Sequence, residues 1–382
     1  METVIGHNVY GDGRIVVYAG KGASHSWTWL ADLFDSVPQA EAVFVDESEM
    51  TGALNDGCSR VVVSGGDAFQ IARCLSRSRF GTVETFVRNG GHYVGICAGA
   101  YLPLPSSVSP LSEFNLSTTK IENILADFHT ESGYSERLSL SYCDRTIVHP
   151  VRGEVLLDVF GELVAPLYGG PIFHEPSVDE VVFRYTGFTE RSQFNIGLKE
   201  ATGMVVGKPA AIRSRVGEGS LLLIGPHLEH PGYSRANVIF LELLDINAEP
   251  GRSPRAEEPT GGVVDAKLRG ALADLRVAIS GLENRSFLVG RKLWDAERLL
   301  VLHRAVDSRA QFIGSSETAA IVSELRLARD ALVRSDDDSG AVDRALDALM
   351  SAARRAVNSR FQHPPASDDF IRAHHDSFRN EG

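Results

Sequence analysis

Short apolar runs alternate with amphipathic stretches over the first 247 residues. Residues 14–18, 42–45, 60–63 and 93–96 are rich in Val, Ile, Phe and Tyr, and most lead into small residues. Runs of that length, without polar alternation, predict strands buried on both faces. Residues 24–34 place Trp27, Leu30 and Phe34 near helical spacing, and residues 69–75 and 81–88 also read as helices. Strand, helix and strand joined by short glycine turns predict an α/β fold with a mainly parallel sheet covered on both faces. The pattern weakens over residues 103–139, where proline and serine are frequent and only residues 121–128 read as helical. Strand-like runs return at 154–160, 180–185, 209–214 and 220–224. Gly217-Glu218-Gly219 forms the expected hairpin turn between the last two, and residues 238–244 predict a closing helix.

Residues 248–262 change character. Pro250, Pro254 and Pro259 stand among Gly, Ser, Arg and Glu, the composition of a linker. Residues 263–361 then contain no proline and repeat leucine at helical spacing, beginning with Leu268, Leu272, Leu275 and Ile279. Breaks at Gly281, Gly314 and residues 335–340 divide this stretch into three or four helices, expected to pack as a small all-α domain. The Asp336-Asp337-Asp338 run reads as a solvated loop and residues 362–382 as a polar tail. The expected organisation is therefore a domain over 1–247, a linker over 248–262, a helical bundle over 263–361 and the tail. The helical part would either build a homo-oligomer or pack on the first domain, and the sequence leaves both open.

Charge narrows the classes of partner. The chain of 382 residues has a formal net charge of −12, which argues against a general nucleic-acid or membrane-surface binder. The four cysteines, Cys58, Cys74, Cys97 and Cys143, form no CxxC pair and have no zinc-site spacing. With no disulfide framework required, a reducing, cytoplasmic setting is expected. Residues 1–14 do not read as a signal peptide, and no apolar run approaches the ~18 residues of a membrane helix.

Candidate chemistry sits where two of the predicted strands end. Gly95-Ile96-Cys97-Ala98-Gly99 holds a cysteine between glycines, the pattern of a nucleophile on a sharp strand-to-helix turn. A thiol there meets the free amides of a helix N-terminus. After the run Leu221-Leu222-Leu223-Ile224 comes Gly225-Pro226-His227-Leu228-Glu229. A neutral imidazole suits proton transfer near pH 7, and a carboxylate two residues on is placed to orient the ring. Ser64-Gly65-Gly66-Asp67 follows a third strand, and its amides, with that of Ala98, are candidates for an oxyanion hole. Tyr101 flanks the elbow. In Pro166-Leu167-Tyr168-Gly169-Gly170-Pro171, the glycines Gly169 and Gly170 are candidates to let backbone approach a ligand. Gly20-Lys21-Gly22 lacks P-loop spacing and reads as a turn.

These motifs resemble the class I glutamine amidotransferase-like superfamily. More narrowly, Asn89-Gly90-Gly91-His92-Tyr93-Val94-Gly95-Ile96-Cys97-Ala98-Gly99-Ala100-Tyr101 resembles the amidotransferase-like N-terminal domain of biotin-protein ligases. The likeness extends over about residues 14–244 and does not cover the helical part. It implies a flavodoxin-like sheet sandwich, with Cys97, His227 and Glu229 as a triad. Tyr101 stands where glutamine-using members carry Gln, so glutamine itself is not implied as the substrate. Leu228 replaces a usual proline while the His-x-Glu spacing is kept. The glycine- and arginine-rich segment of biotin ligase catalysis is not present, so biotin transfer is not implied. The reading is a cysteine-dependent amidase or amidotransferase-like enzyme. It would act on a small amide, or with a partner synthetase, and needs no metal or organic cofactor. The alternative is a non-catalytic ligand-binding or scaffold protein on the same fold, using the helical domain for association.

Overall fold

A computed structural model of the protein describes residues 13–37, 40–122, 149–246, 264–334 and 340–362. Most of the helical piece expected at 121–128, the linker 248–262, the Asp336-Asp337-Asp338 run, Cys143 and the tail beyond residue 362 lie outside the described residues.

Strands β1 (Arg14–Tyr18), β2 (Ala42–Val45), β3 (Cys58–Val63) and β4 (His92–Ile96) pair in parallel, in the order β2-β1-β3-β4. The sheet continues through β10 (Gly219–Ile224), parallel to β4, and then turns antiparallel through β9 (Pro209–Val216), β7 (Glu180–Phe188), β5 (Val151–Asp158) and β6 (Glu162–Leu167). A short β8 (Gln193–Phe194) pairs with β5. The expected β9–β10 hairpin is present. The parallel strands are almost wholly buried, which is why their sequences read as unbroken apolar runs.

Crossovers α1 (Trp27–Asp35), α2 (Met50–Asn55) and α3 (Ala68–Arg88) connect the parallel strands. Right-handed crossovers put α1 on one face and α2 with α3 on the other, because β2 and β3 lie on opposite sides of β1. The two helical segments read from sequence at 69–75 and 81–88 form one element kinked at Ser76, whose φ is 53°. A short α4 (Ala98–Tyr101) follows β4 at once. Helices α5 (Leu198–Val205) and α6 (Ser234–Leu243) complete this body. Sequence periodicity missed α2, α5 and β6, each too short or too mixed to show a clear period.

The C-terminal region has four described helices: α7 (Ala266–Ser280), α8 (Ala296–Asp307), α9 (Ser315–Val333) and α10 (Ala341–Gln362). Gly281 and Gly314 mark helix ends, as read from the sequence. Between α7 and α8 lies an unexpected hairpin, β11 (Ser286–Val289) with β12 (Lys292–Asp295), turned by Gly290 at φ 61° and Arg291.

This region packs on the first body. Helix α10 covers the edge strand β2, where the Asn358 amide donates to the Phe44 carbonyl at 2.8 Å and its oxygen accepts from the Phe44 N–H at 2.9 Å. An edge strand otherwise exposes such groups to pairing with another chain. Trp27 meets Met350, Arg309 pairs with Asp32 at 2.7 Å, Arg360 with Asp35 at 2.8 Å and Arg354 with Asp46 at 2.6 Å. No described helix is long and apolar enough to cross a membrane.

Candidate active site

Cys97 leaves the sheet between its two neighbouring strands. Register pairs Gly95 with Val63 on one side and Leu223 on the other, so Cys97 emerges level with Gly65 and Gly225. Its φ of 53° and ψ of −109° are rare for a residue with a side chain. Strain of that kind costs on the order of 1–3 kcal/mol and persists only where the surroundings enforce it. Here the Cys97 N–H donates to the Ile224 carbonyl at 2.9 Å and the Gly99 N–H to the Ser64 carbonyl at 3.1 Å. The glycine frame is a steric requirement. A Cβ on Gly99 would overlap the Val63 carbonyl, and one on Gly95 would lie 2.6 Å from the Gly99 oxygen.

His227 follows β10, its N–H held by the Pro166 carbonyl at the end of β6 at 2.8 Å. Its Nδ1 lies 2.7 Å from Glu229 Oε1, and its ring lines the same cavity as Cys97, whose charge favours the protonated imidazole. Trp29 meets the ring edge-on and Tyr168 tilts against it, both with centroids 5.6 Å away. The ring also lies over Gly65, where a Cβ would come within 2.7 Å of Cε1. Gly65 therefore makes room for the imidazole, whatever its amide does. Leu228 is fully buried, and its carbonyl accepts from Asn237. The residue that replaces a usual proline is thus a core residue that preserves the spacing.

The electrostatics follow from enclosure. Cys97, His227 and Glu229 are only 8%, 3% and 1% exposed. Burial opposes charge on His227, but Glu229 and Cys97 outweigh it and raise the imidazole to about 10. Glu229 Oε2 has no hydrogen-bond partner among the described residues, so His227 is its polar neighbour.

Cys97 and His227 line a cavity of about 390 Å³, while Glu229 holds His227 from outside the lining. Gly65, Gly66, Ala98, Tyr101 and Gly169, all expected from sequence, line it. Among the described residues, the amides of Gly66 and Ala98 donate to no backbone carbonyl, whereas those of their neighbours Asp67 and Gly99 do. The Tyr101 hydroxyl donates to the Gly169 carbonyl at 3.0 Å, which joins the elbow to the loop after β6. Gly170 does not line the cavity. It packs so tightly on Gly225 that a Cβ would strike the Gly225 carbonyl. His92, four residues before the end of β4, hydrogen-bonds Ser220 and is also outside the cavity.

Sequence reasoning missed several lining residues: Trp29, Tyr168, His230, Arg152, and Arg291, Lys292 and Arg298 of the C-terminal region. A signal for the last group was present. Phe287-Leu288-Val289, Gly290-Arg291 and Lys292-Leu293-Trp294 form two apolar runs around a two-residue glycine turn.

Comparison with known proteins adds a family. Residues 14–122 match the family model described as biotin-protein ligase, N terminal. No curated protein sequence matches the chain significantly. Among solved structures, one described as a glutamine amidotransferase aligns at 19% identity and TM-score 0.40, covering 61% of this chain and 100% of its own. The exo-β-1,4-mannosidase Op5Man5 from Opitutaceae bacterium strain TAV5 aligns at 11% identity and TM-score 0.35, over 61% of this chain and 34% of its own. A β-galactosidase from Bacillus circulans sp. alkalophilus aligns at 13% identity and TM-score 0.33, over 62% of this chain and 32% of its own. This chain thus spans about a third of the length of the two glycosidases.

Proposed function

We propose that this protein, whose residues 14–122 match the family model described as biotin-protein ligase, N terminal, is a cysteine-dependent amidase or amidotransferase. The observation that carries the reading is the strained Cys97 at the sheet rim, lining one cavity with an imidazole whose Nδ1 is held by Glu229.

In this reading His227, whose charged form the site favours, already holds the Cys97 proton, and the Cys97 sulfur attacks an amide carbonyl. The amides of Gly66 and Ala98 receive the negative oxygen of the tetrahedral intermediate. The carbon–nitrogen bond then breaks as His227 gives the proton to the departing nitrogen, leaving a thioester and a free amine or ammonia. Water, or a nucleophile from a partner synthetase, gives a proton to His227 and attacks the thioester. Cys97 leaves as the thiolate, and the proton stays on His227. Glu229 fixes the ring orientation and favours the imidazolium form that acts as the acid. No step uses a metal or organic cofactor. The described cysteines Cys58, Cys74 and Cys97 are all free thiols, which fits work in a reducing cytoplasm.

The test is labelling with a thiol-reactive amide analogue, located by peptide mass. Cys97 should be modified faster than free cysteine, and Cys97→Ala should lose the modified peptide while keeping its melting curve. Equal labelling of wild type and Cys97→Ala would overturn the proposal and leave a ligand-binding protein on the same fold.

A further inference from the structure

One side of the Cys97 cavity is built of rings. The segment from the end of β1 into the first turn of α1 supplies two of them, His25 and Trp29, and both line the cavity. Trp29 is the hub. Its indole meets His25, His227 and His230 edge-on, at centroid distances of 5.2, 5.6 and 4.4 Å. His25 is also met edge-on by Trp294 of the C-terminal hairpin, at 6.3 Å, and Trp294 is itself buried. Other rings therefore brace the pair, which remains only half-buried.

His25 and Trp29 carry polar atoms without partners, and their neighbours do not. His227 Nδ1 is engaged by Glu229, and His230 Nδ1 accepts from the Gly232 N–H at 3.0 Å. The fully buried Trp27 spends its indole N–H on the Met350 sulfur. The His25 ring makes no hydrogen bond to any described residue, and its Nδ1 is buried. The Trp29 indole N–H likewise meets no described acceptor. Enclosed indoles and imidazoles normally find partners, because an unmade bond leaves the desolvation of the group uncompensated. Burial, then the charges of Lys292 and Arg298, holds the His25 imidazole well below its usual value, so the ring is neutral near pH 7. An indole N–H donates only, and a neutral imidazole has one donor and one acceptor. Such a wall complements a flat group, apolar on its faces, with an uncharged acceptor at its edge.

We propose that His25 and Trp29 form a recognition subsite for a planar heteroaromatic ring, so that the amide presented to Cys97 is the carboxamide of a ring carrying an acceptor nitrogen. The inference rests on the proposed role of Cys97 for the identity of the reacting bond, but ring recognition is measured without it. At about 390 Å³ the cavity has the volume of a small-molecule site. Trp294 gives the C-terminal region a part in the selection, since it backs the His25 ring from the hairpin.

Calorimetric titration of the full chain carrying Cys97→Ala with butyramide, benzamide and nicotinamide tests this. Benzamide adds a ring to the amide, and nicotinamide adds an acceptor nitrogen to that ring. Benzamide should bind about tenfold more tightly than butyramide, and nicotinamide about fivefold more tightly than benzamide. In the same background, Trp29→Phe and His25→Phe each keep a ring and remove its nitrogen. The nicotinamide preference should vanish in one of them, which assigns the donor, and Trp29→Leu should abolish the benzamide preference. Melting curves establish that each variant folds, and the Phe variants decide the matter if Trp29→Leu does not. Equal binding of butyramide, benzamide and nicotinamide, or a nicotinamide preference kept in both Phe variants, overturns the subsite. Ammonia release by the wild type tests the catalytic reading separately. Ring-selective binding with no ammonia from nicotinamide and no labelling of Cys97 would overturn that reading and leave the subsite standing. Ammonia release with equal binding would overturn the subsite and leave the enzyme.

Discussion

The wall that carries Cys97 and the wall that carries Lys292 face one cavity, yet they are fixed by different means. The first is determined by backbone. Parallel strands place the residue, neighbouring carbonyls hold its amides, and glycines at 95 and 99 are the side chains that fit. The second is carried by a two-residue turn whose position depends on contacts distant in sequence: the Arg291 N–H on Asp67, and its guanidinium 3.6 Å over the Phe69 ring. If Cys97 reacts as proposed, a strand-end nucleophile beside a separately mounted hairpin lets chemistry and specificity vary independently.

Breaking the first wall should have the larger effect. His227→Ala should lower Cys97 acylation by about 10²–10⁴-fold, as read by the rate of thioester formation. Gly99→Val should cost about 2–4 kcal/mol of stability by denaturant titration, because the added side chain overlaps the Val63 carbonyl. Of smaller effect, Asn358→Leu should cost about 1–3 kcal/mol, since it leaves the Phe44 N–H and carbonyl without the partners they have now. If that variant also lowers the preference for nicotinamide over benzamide, the seam between the two regions sets the position of Trp294 against His25.

Two pH profiles sharpen the same contrast. The folded imidazole of His227 is raised to about 10, against about 6.5 in an unfolded chain. Its contribution to stability is therefore full below the unfolded value and declines as pH rises through the folded one. The stability difference between wild type and Glu229→Gln should shrink from pH 6 to pH 10 and be nearly gone above that. Lys292 moves the other way, down to about 8, while facing Arg298, Arg152, Asp295 and Cys97. Wild type should therefore gain stability relative to Lys292→Met as pH rises from about 8 to the unfolded value of about 10.4, the opposite slope to that of His227.

The two regions were also unequally legible in the sequence. Strands β1 to β4 announced themselves because burial on both faces removes polar alternation, and the elbow because steric crowding admits only small residues around Cys97. The His-x-Glu step was readable because it follows a buried strand directly. Trp29 and Tyr168 were not, since an aromatic beside a pocket has the same local pattern as one in the core. The cavity's cationic side chains were hidden for another reason. Arg152 is far in the chain from Lys292 and Arg298, and only the packing of the C-terminal region on the sheet brings it to them. Gly170 shows the converse: a glycine that looked suited to a ligand is required by the close passage of Gly225.

Asp67 uses one carboxylate oxygen to cap α3 and the other to hold the tip of the hairpin, while the residue before it offers its amide to the cavity. One carboxylate thus ties the tip of the C-terminal hairpin to the N-terminus of α3, directly after the Gly66 peptide.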